Sequence, residues 1–467
     1  MKLRSPCMLT LCLTLACATA IGNRPQPVDL IITHAAVLDV RTGAVLPNRT
    51  IIIDHGLIQA VEPPSQPLFR AARRSLDARG RLVTPGLIDV HSHSFLYLPN
   101  DAHPVMTPDS INAYRRVLAS EYLPYGVTVV RDVGSSERVL PMLLAWTKPS
   151  PDAPDFYPSG AHLISPDPNW VPRSWQVVIA DSTAAAAKVR EYYGLGIRNI
   201  KLYWGLRVPE FKGALYQAQA LGMNVTGHVD QGVMTIGQAL DLGLRNVEHI
   251  HTFPWSVLTA SDFDPVKAQL LRDLGVTFDH LPPTAPNFIA PELWAYLGPE
   301  NARVLALIAK FKADDASLTP TLHVFAQRLG LTYFESAPRD STEDTSVWTT
   351  HQREQIVAGY RVMASYVKRM YDDGIRLNLG TDAHDPGRAA LSEMLLLHDA
   401  GIPMTGVFRI ATLDSARDIG HGAEYGSIEA GRHADLIVFA NNPLEDPQGL
   451  LGAKTVIKDG VVCCRSH

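Results

Sequence analysis

The 467-residue sequence predicts an α/β protein: a (β/α)8 TIM-type barrel with a small β-sandwich domain built from both chain ends. Two observations carry this prediction. Short apolar strands alternate with helical stretches through the middle of the chain, which is the pattern of a parallel sheet. Both ends instead carry short β-rich segments joined by turns. Barrels of this kind run from roughly 250 to over 400 residues, so the chain is long enough for one barrel and a satellite domain.

Eight strands are predicted in the middle of the chain, and eight strands fit a closed barrel. They are Leu87–His93, Val127–Val133, Ala161–Ser165, Asn199–Tyr203, Asn224–Val229, Val247–Ile250, Leu318–His323 and Leu377–Asp382. Asp181 and Ser182 can cap a helix that ends at Gly194, and Pro386 precedes another helix. The polar stretch Glu335–Thr350 interrupts the pattern and is predicted to be a surface loop or lid.

These segments predict four parts. A signal peptide covers 1–20, the N-terminal part of the β-sandwich covers 27–83, the barrel covers 84–423, and the C-terminal part of the β-sandwich covers 424–467. The β-rich ends include Thr50–Ile53 near the start and Lys454–Val462 near the finish.

The first twenty residues have the features of a secretory signal. Lys2 and Arg4 form a basic start, an apolar stretch runs from Met8 to Ala18, and Ala18-Thr19-Ala20 is an A-x-A cleavage pattern. The apolar run is short for a bilayer span, so no membrane span is expected in the mature chain. We therefore expect an exported protein, periplasmic or secreted. Two alternatives are a lipid anchor through Cys17, whose flanking sequence is a poor lipobox, and a retained N-terminal anchor.

Composition narrows the class of protein. Hydrophobic residues make up 46% and charged residues 19% of the chain, which is ordinary for a globular enzyme. The net charge is -5 and no run of basic residues is present, so nucleic acid is not an expected partner. A small-molecule substrate is expected, and the protein is either a monomer or a homo-oligomer. Without the signal, only Cys463 and Cys464 remain, so any metal must be held by His, Asp, Glu or Lys.

A pair of histidines indicates a metal site. His91 and His93 lie two residues apart near the carboxyl end of the first barrel strand, so both side chains point the same way. Active sites of such barrels lie at that end. A single buried histidine is as easily a structural residue as a ligand, but two at strand spacing are better explained by a metal.

Four further residues each lie at or near the carboxyl end of their own predicted strand: Lys201, His228, His249 and Asp382. Lys201 is flanked by apolar residues, where a bare cation is costly to bury. A salt bridge would also explain Lys201, and a structural role would explain any of the others taken singly. Together they indicate imidazole and carboxylate ligands for zinc, iron, manganese or a similar ion, with zinc the default.

These motifs resemble the amidohydrolase superfamily. The stretch Val83–His93 is similar to its strand-one signature, and Asn199–Lys201, Gly227-His228, Glu248-His249 and Gly380–Ala383 follow in the order of the family. Gly426–Leu436 is similar to the stretch that re-enters its β-sandwich. The similarity covers nearly all of the mature chain. It is strongest to the imidazolonepropionase-like group that contains metal-dependent Xaa-Pro dipeptidases.

The resemblance implies two divalent metal ions. His91, His93 and Asp382 would bind the first, His228 and His249 the second, and a carboxylated Lys201 would bridge them. A metal-bridging hydroxide would attack a carbonyl group that one metal polarises. Asp382 would take the proton of the attacking water and deliver it to the leaving group.

The resemblance is weaker around the substrate. Dipeptidase relatives tend to show Gly-Gly-His after strand three, where this chain has Gly160-Ala161-His162. They usually have a tyrosine where this chain has Asp230, and a carboxylate there would repel an anionic substrate terminus. Neutral or cationic amides are therefore as reasonable as free dipeptides. Candidate pocket residues, for each of which packing is an equal explanation, are Arg131, His162, Tyr203, Asp230, His323 and His384.

The function expected from these residues is hydrolysis of a carbon–nitrogen bond in an amide, peptide or cyclic amide. Hydrolysis of a lactone or phosphoester would use the same metals and stays open, because the fold does not choose between them. A non-catalytic metal-binding protein is a third reading, although all six ligand positions are intact.

Overall fold

The computed structural model describes residues 26–64, 71–96, 107–229, 234–275, 285–334 and 349–466. The predicted signal peptide with Cys17, the candidate residue Asp230, and 335–348 of the predicted loop lie outside these ranges. The last residue of that predicted loop, Thr350, is the first residue of a helix.

The described strands are β1 (Val28–Leu38), β2 (Val45–Asp54), β3 (Leu57–Glu62), β4 (Ala72–Asp77), β5 (Leu82–Pro85), β6 (Leu87–Ser92), β7 (Val127–Asp132), β8 (Asp155–Pro158), β9 (His162–Ile164), β10 (Gln176–Val178), β11 (Asn199–Leu202), β12 (Asn224–Gly227), β13 (Asn246–Glu248), β14 (Ser317–Thr319), β15 (Arg376–Leu377), β16 (Leu436–Phe439), β17 (Lys454–Lys458) and β18 (Val461–Ser466).

The described helices are α1 (Pro108–Tyr122), α2 (Leu140–Ala145), α3 (Ser182–Leu195), α4 (Val208–Ala220), α5 (Ile236–Asp241), α6 (Phe253–Val257), α7 (Phe263–Leu274), α8 (Ala285–Leu297), α9 (Ala302–Ala313), α10 (Leu322–Arg328), α11 (Thr350–Asp372), α12 (Pro386–Asp399), α13 (Met404–Arg409) and α14 (Ser415–Asp418). A π-helical turn, Ile410–Asp414, joins α13 to α14. Short 3-10 turns lie at Ser94–Leu96, Leu123–Tyr125, Ile250–Thr252, Ala260–Asp262 and Pro447–Leu450. Within the described ranges, no helix combines the length and the apolar character needed to cross a bilayer.

Both ends of the chain contribute to one eight-stranded sheet. Its order is β18-β17-β16-β5-β1-β2-β3, and β4 pairs with β1. Strands β5 and β16, which are more than 300 residues apart in the chain, pair antiparallel through Val83 and Val438. Alternating apolar side chains from both ends, among them Ile32, Ile53 and Leu436, form one buried cluster. The β-rich ends are therefore one structural unit, in the parts of the chain where the sequence predicts a sandwich.

The middle of the chain forms two parallel sheets. One has seven strands in the order β10-β9-β11-β12-β13-β14-β15, and the other has three in the order β6-β7-β8. The predicted closed ring of eight strands is thus not present as one continuous sheet among the described residues. Among the described strands, β15 is only two residues long and forms no strand pair with β6. The segment after β15 is joined to β6 by single backbone hydrogen bonds, such as that from the Val90 N–H to the Leu379 carbonyl at 2.9 Å.

The predicted strands agree with the structure best at β6, β7 and β11, each of which begins at the predicted residue and ends one residue before the predicted end. Two other predicted strands run four or five residues past the end of the observed strand. The strand predicted as Leu318–His323 ends at Thr319, and His323 lies instead in α10. The strand predicted as Leu377–Asp382 is replaced by β15, because the chain leaves the extended conformation before Asp382, which has a φ of 47°.

A buried ion pair joins the terminal sheet to the three-stranded sheet. The ammonium of Lys458 on β17 lies 2.9 Å from Oδ2 of Asp155 on β8 and 3.2 Å from Oδ2 of Asp435. The hydroxyl of Tyr425 also donates to Asp155 at 2.9 Å. Removing one member of such a buried network is strongly destabilising because it leaves the other charges without compensation.

Candidate metal centre

All six predicted ligands lie at the carboxyl ends of the central strands. His91 is on β6 and Lys201 is on β11. His93, His228 and His249 directly follow β6, β12 and β13, whereas Asp382 lies five residues after the end of β15. Parallel strands present their carboxyl ends at the same edge, which is where α/β proteins place their sites. Ligand atoms of His91, His249 and Asp382 all lie within 4.8 Å of one another.

The remaining predicted ligands surround this group. The ring centroids of His91 and His93 are 5.2 Å apart, and those of His228 and His249 are 4.6 Å apart. Nε2 of His93 lies 3.5 Å from Oδ1 of Asp382. The positive charge of Lys201 lowers the pKa of both His91 and His249, after the larger effect of burial. The structure therefore brings the six residues into one cluster.

The atoms of this cluster have the chemistry of a metal site. Nε2 of His91 and Nζ of Lys201 are buried and make no hydrogen bond to the part of the chain that the structure describes. A buried polar atom without a partner is costly, and a bound cation or another polar group must compensate it. Burial lowers the pKa of His93 to about 3, so its imidazole is neutral at pH 7 and has a free lone pair. Imidazole nitrogens beside a carboxylate suit zinc and similar divalent ions.

Glu248 holds His91 in place, a role that the sequence did not predict. Its Oε2 accepts a hydrogen bond from Nδ1 of His91 at 2.7 Å. Arg131 donates to its Oε1 at 3.2 Å, and the hydroxyl of Thr226 donates to the same oxygen. Burial raises the pKa of Glu248, but the charges of Lys201 and His91 outweigh it and hold the pKa well below its usual range. Glu248 is therefore an anion that fixes the tautomer of His91 and leaves Nε2 available.

Lys201 in the cluster is either an ion-pair partner of Glu248 or a lysine that becomes carboxylated. Its Nζ lies 3.8 Å from Oε1 of Glu248, which is an ion pair without a hydrogen bond. Burial lowers the pKa of Lys201 to about 8. The negative charge of Glu248 opposes this shift, and the smaller effect of the Arg131 charge adds to it. A lysine with so low a pKa has a substantial neutral fraction near pH 8. The neutral amine is the form that reacts with carbon dioxide.

Backbone conformation in the centre is unusual. His249, Thr321 and Asp382 have φ values of 65°, 52° and 47°, in the left-handed region. Nδ1 of His249 lies 2.9 Å from the hydroxyl of Thr321, so one such residue orients another. The hydroxyl of Thr381, next to Asp382, donates to Asp89 at 2.7 Å. Strained residues of this kind persist where the surrounding structure holds them, often at functional sites.

Two of the candidate pocket residues, His162 and Tyr203, lie beside the centre. The ring of His162 stacks on that of Tyr203 at 4.1 Å and lies 5.2 Å from that of His93, so both residues adjoin the cluster. Asp230 lies outside the described residues. His384 donates from Nδ1 to the carbonyl of Leu96 at 2.7 Å.

The other two described candidate pocket residues, Arg131 and His323, are fully buried. Arg131 is fully buried and bonds Glu248, the carbonyl of Val90 and, at 2.7 Å, Asp418. Arg131 therefore holds Glu248 in position, and these contacts argue against the predicted contact between Arg131 and the substrate. His323 is buried in α10, where its backbone N–H donates to Glu393 at 2.6 Å. His251 is also buried, with its ring 5.1 Å from that of His249.

Parts of the chain are similar in sequence to known proteins. Residues 358–463 match the model of the amidohydrolase family. Adenine deaminase of Chelativorans sp. is 38% identical over 77 residues, which are 16% of this chain and 12% of the relative. N-substituted formamide deformylase of Arthrobacter pascens is 30% identical over 112 residues, which are 21% of this chain and 20% of the relative. The chain thus spans less than a quarter of each of these relatives.

Solved structures match over nearly the whole chain. Bottromycin amidohydrolase has a TM-score of 0.63 at 22% identity and covers 94% of this chain and 87% of its own. Ochratoxinase of A. niger has a TM-score of 0.62 at 18% identity, with 93% and 95% covered. A Xaa-Pro dipeptidase with bound methionine has a TM-score of 0.62 at 19% identity, with 93% and 99% covered. At these identities the likeness shows the fold. The chain therefore has the fold of these amidohydrolase structures, and its residues 358–463 match the amidohydrolase family model.

Proposed function

We propose that the protein is a metal-dependent hydrolase that cleaves a carbon–nitrogen bond in an amide, peptide or cyclic amide. The observation that carries this proposal is the convergence of His91, His249 and Asp382, whose ligand atoms lie within 4.8 Å of one another at the strand ends. Nε2 of His91 is buried without a hydrogen-bond partner among the described residues, which is costly unless a bound cation or another polar group compensates it.

Two divalent ions, with zinc the default, would be held by His91, His93 and Asp382 and by His228 and His249. When bound, they would lower the pKa of a water molecule and polarise the carbonyl group to be attacked. Lys201 would contribute an anionic ligand as its carbamate. The ion pair of the free amine with Glu248 is long, at 3.8 Å, and leaves Nζ without a hydrogen bond, which is compatible with this modification.

Asp382 is the residue proposed to move the proton. Its carboxylate is the most exposed ligand group of the His91, His249 and Asp382 set, with 27% of the side chain exposed, so it can contact both the site and an entering substrate. We propose that it accepts a proton from the attacking water and donates it to the leaving nitrogen. Glu248 and Arg131 have no direct contact with substrate in this proposal; they hold His91 in the required tautomer.

The names of the relatives favour carbon–nitrogen bonds. A deaminase, a formamide deformylase and a Xaa-Pro dipeptidase each act on such a bond by name. Lactone or phosphoester hydrolysis on the same centre is the alternative for the test below. From the basic and apolar pattern of 1–20 we further propose that the protein is exported, to the periplasm or out of the cell.

The first test is elemental analysis of protein purified without chelator, beside a panel of amide, dipeptide, lactone and phosphotriester substrates. About two metal ions per chain with chelator-sensitive amide or dipeptide cleavage is the expected result. Cleavage confined to lactones or phosphotriesters would overturn the bond assignment. Absence of metal, with no turnover after metal is restored, would favour a binding protein.

A variant separates the two explanations of Lys201. Lys201→Ala should lower metal occupancy, and added short carboxylic acids should partly restore it, because a free carboxylate can replace the carbamate. If Lys201 is only the ion-pair partner of Glu248, the variant will keep its metal and short acids will change nothing.

A further inference from the structure

Aromatic rings form a continuous arc that leads from the metal centre to the surface. On one side, the ring of Phe95 lies 4.9 Å from that of His93 and stacks on Trp175 at 4.1 Å with an interplanar angle of 9°. We call Phe95 and Trp175 the first aromatic row. Phe95 follows His93 by two residues, so this row begins directly beside a predicted metal ligand.

A second aromatic row, Tyr203, Trp204 and Trp170, begins on the other side of the centre. The ring of Tyr203 lies 5.6 Å from that of His228. Trp204 lies 5.7 Å from Tyr203, and Trp170 meets Trp204 edge to face at 5.6 Å. His162 lies between the rows, 5.2 Å from His93 and 4.1 Å from Tyr203. The two rows are therefore linked through His162, beside the predicted ligands His93 and His228.

The outer part of this arc is exposed in a way that core packing does not explain. Trp204 is 36% and Trp170 38% exposed, and the neighbouring Val171 is 83% exposed. Large apolar side chains grouped beside a buried polar centre indicate a ligand-binding surface. Trp170 is also held in place, since its Nε1 donates to Oε1 of Gln176 at 2.9 Å. The same Gln176 oxygen accepts the backbone N–H of Arg173 at 2.9 Å, which orders the loop between the rows.

We propose that the two aromatic rows form a subsite for a flat aromatic group of the substrate, next to the bond that is cleaved. The proposal rests on the proposed function and narrows it to amides that carry an aromatic substituent. Aromatic faces and edges prefer offset-stacked or edge-to-face partners, which a planar ring satisfies and a puckered saturated ring does not. The continuity of the arc with His93 and His228 places such a group beside the metal centre and not on a separate surface.

The test measures binding without turnover. Benzyl alcohol and cyclohexylmethanol are a neutral pair that differ in planarity and cannot be hydrolysed. Their dissociation constants are measured by ligand-observed NMR on the protein as purified. We expect the aromatic probe to bind roughly 3- to 10-fold more tightly, the range that aromatic pairing supports. Trp204→Leu and Trp175→Leu should each reduce this preference toward equal binding while keeping an apolar side chain.

Tyr216→Leu is the matched control, because Tyr216 is an exposed aromatic residue on α4, outside both rows, and should keep the preference. Equal affinity for the two probes in the unaltered protein, or an undiminished preference in both tryptophan variants, would overturn the proposal. The outcome is separate from that of the proposed function. An aromatic preference without turnover of any panel substrate would support the subsite and refute the hydrolase, and turnover without preference would do the reverse.

Discussion

Replacing Glu248 by glutamine should weaken metal binding without changing any ligand. The substitution keeps the shape of the side chain and removes its charge. Glu248 is fully buried, and its bond to Nδ1 of His91 is 2.7 Å long. A hydrogen bond to a charged group contributes about 1.5–3 kcal/mol. Loss of the residue that orients a metal-binding histidine costs roughly 10- to 100-fold in affinity, which corresponds to a similar energy.

The expected result is therefore a metal dissociation constant that rises by about 10- to 100-fold in Glu248→Gln. It can be measured by competition with a chromogenic chelator, on protein whose circular dichroism matches that of the unaltered chain. Asp155→Asn is the control for the loss of a buried charge, because Asp155 is a fully buried carboxylate that contacts Lys458 and Tyr425, neither of which is a predicted ligand. This variant is expected to be less stable, so its affinity is measured only under conditions in which its circular dichroism shows it folded. The reasoning is refuted if Glu248→Gln binds metal as tightly as the unaltered protein, or if Asp155→Asn loses as much affinity.

Three further predictions concern turnover, pH and packing. Asp382→Asn should keep most of its metal and lose roughly two to four orders of magnitude in kcat, the range of acid–base catalysis; near-normal turnover would contradict its role. Burial raises the pKa of Glu393 from 4.5 to about 8, against two backbone hydrogen bonds that lower it. The folded state therefore holds a proton that the unfolded state has lost, and the free energy of unfolding should fall as pH rises from about 4.5 to about 8. Glu393→Gln should flatten this fall in urea titrations at pH 6 and 8, and an unchanged slope would contradict the assignment. A Cβ at Gly359 on α11 would lie 1.9 Å from the carbonyl oxygen of Pro291 on α8, whereas one at Gly194 on α3 would meet nothing within 4 Å. Gly359→Ala should cost about 1–3 kcal/mol by denaturant titration while Gly194→Ala costs nothing, and equal stabilities would contradict this packing.

The sequence predicted the centre because its residues share a local signal. His91, Lys201 and His249 each stand at the end of a short apolar strand, and parallel strands bring such ends together whatever the details of the loops. The same reasoning placed the two β-rich ends in one unit, since neither has enough strands to bury its apolar face alone. Periodicity and strand polarity are properties of a few neighbouring residues, so they can be read without a structure.

The parts that were missed depend on distant partners. Glu248 contacts His91, which is 157 residues away in the chain. In the sequence alone, Glu248 cannot be distinguished from an ordinary polar residue in the alternating pattern of a strand. Strand β8 contains an aspartate and a proline in four residues, and its aspartate is stabilised by Lys458, 303 residues further along. The turn that places His323 in a helix needs the left-handed conformation of Thr321, for which threonine has no local preference.

The left-handed residues of the centre restrict how this sequence can change over evolution. At 382 the backbone tolerates aspartate and asparagine, but of these two only aspartate supplies a carboxylate, and glutamate would fit the left-handed conformation less well. Thr321 is a β-branched residue in the same region, so its hydroxyl is retained at a cost of about 1–3 kcal/mol. A new metal preference is therefore more accessible through residues behind the ligands, such as Glu248, than through exchange of the ligands themselves.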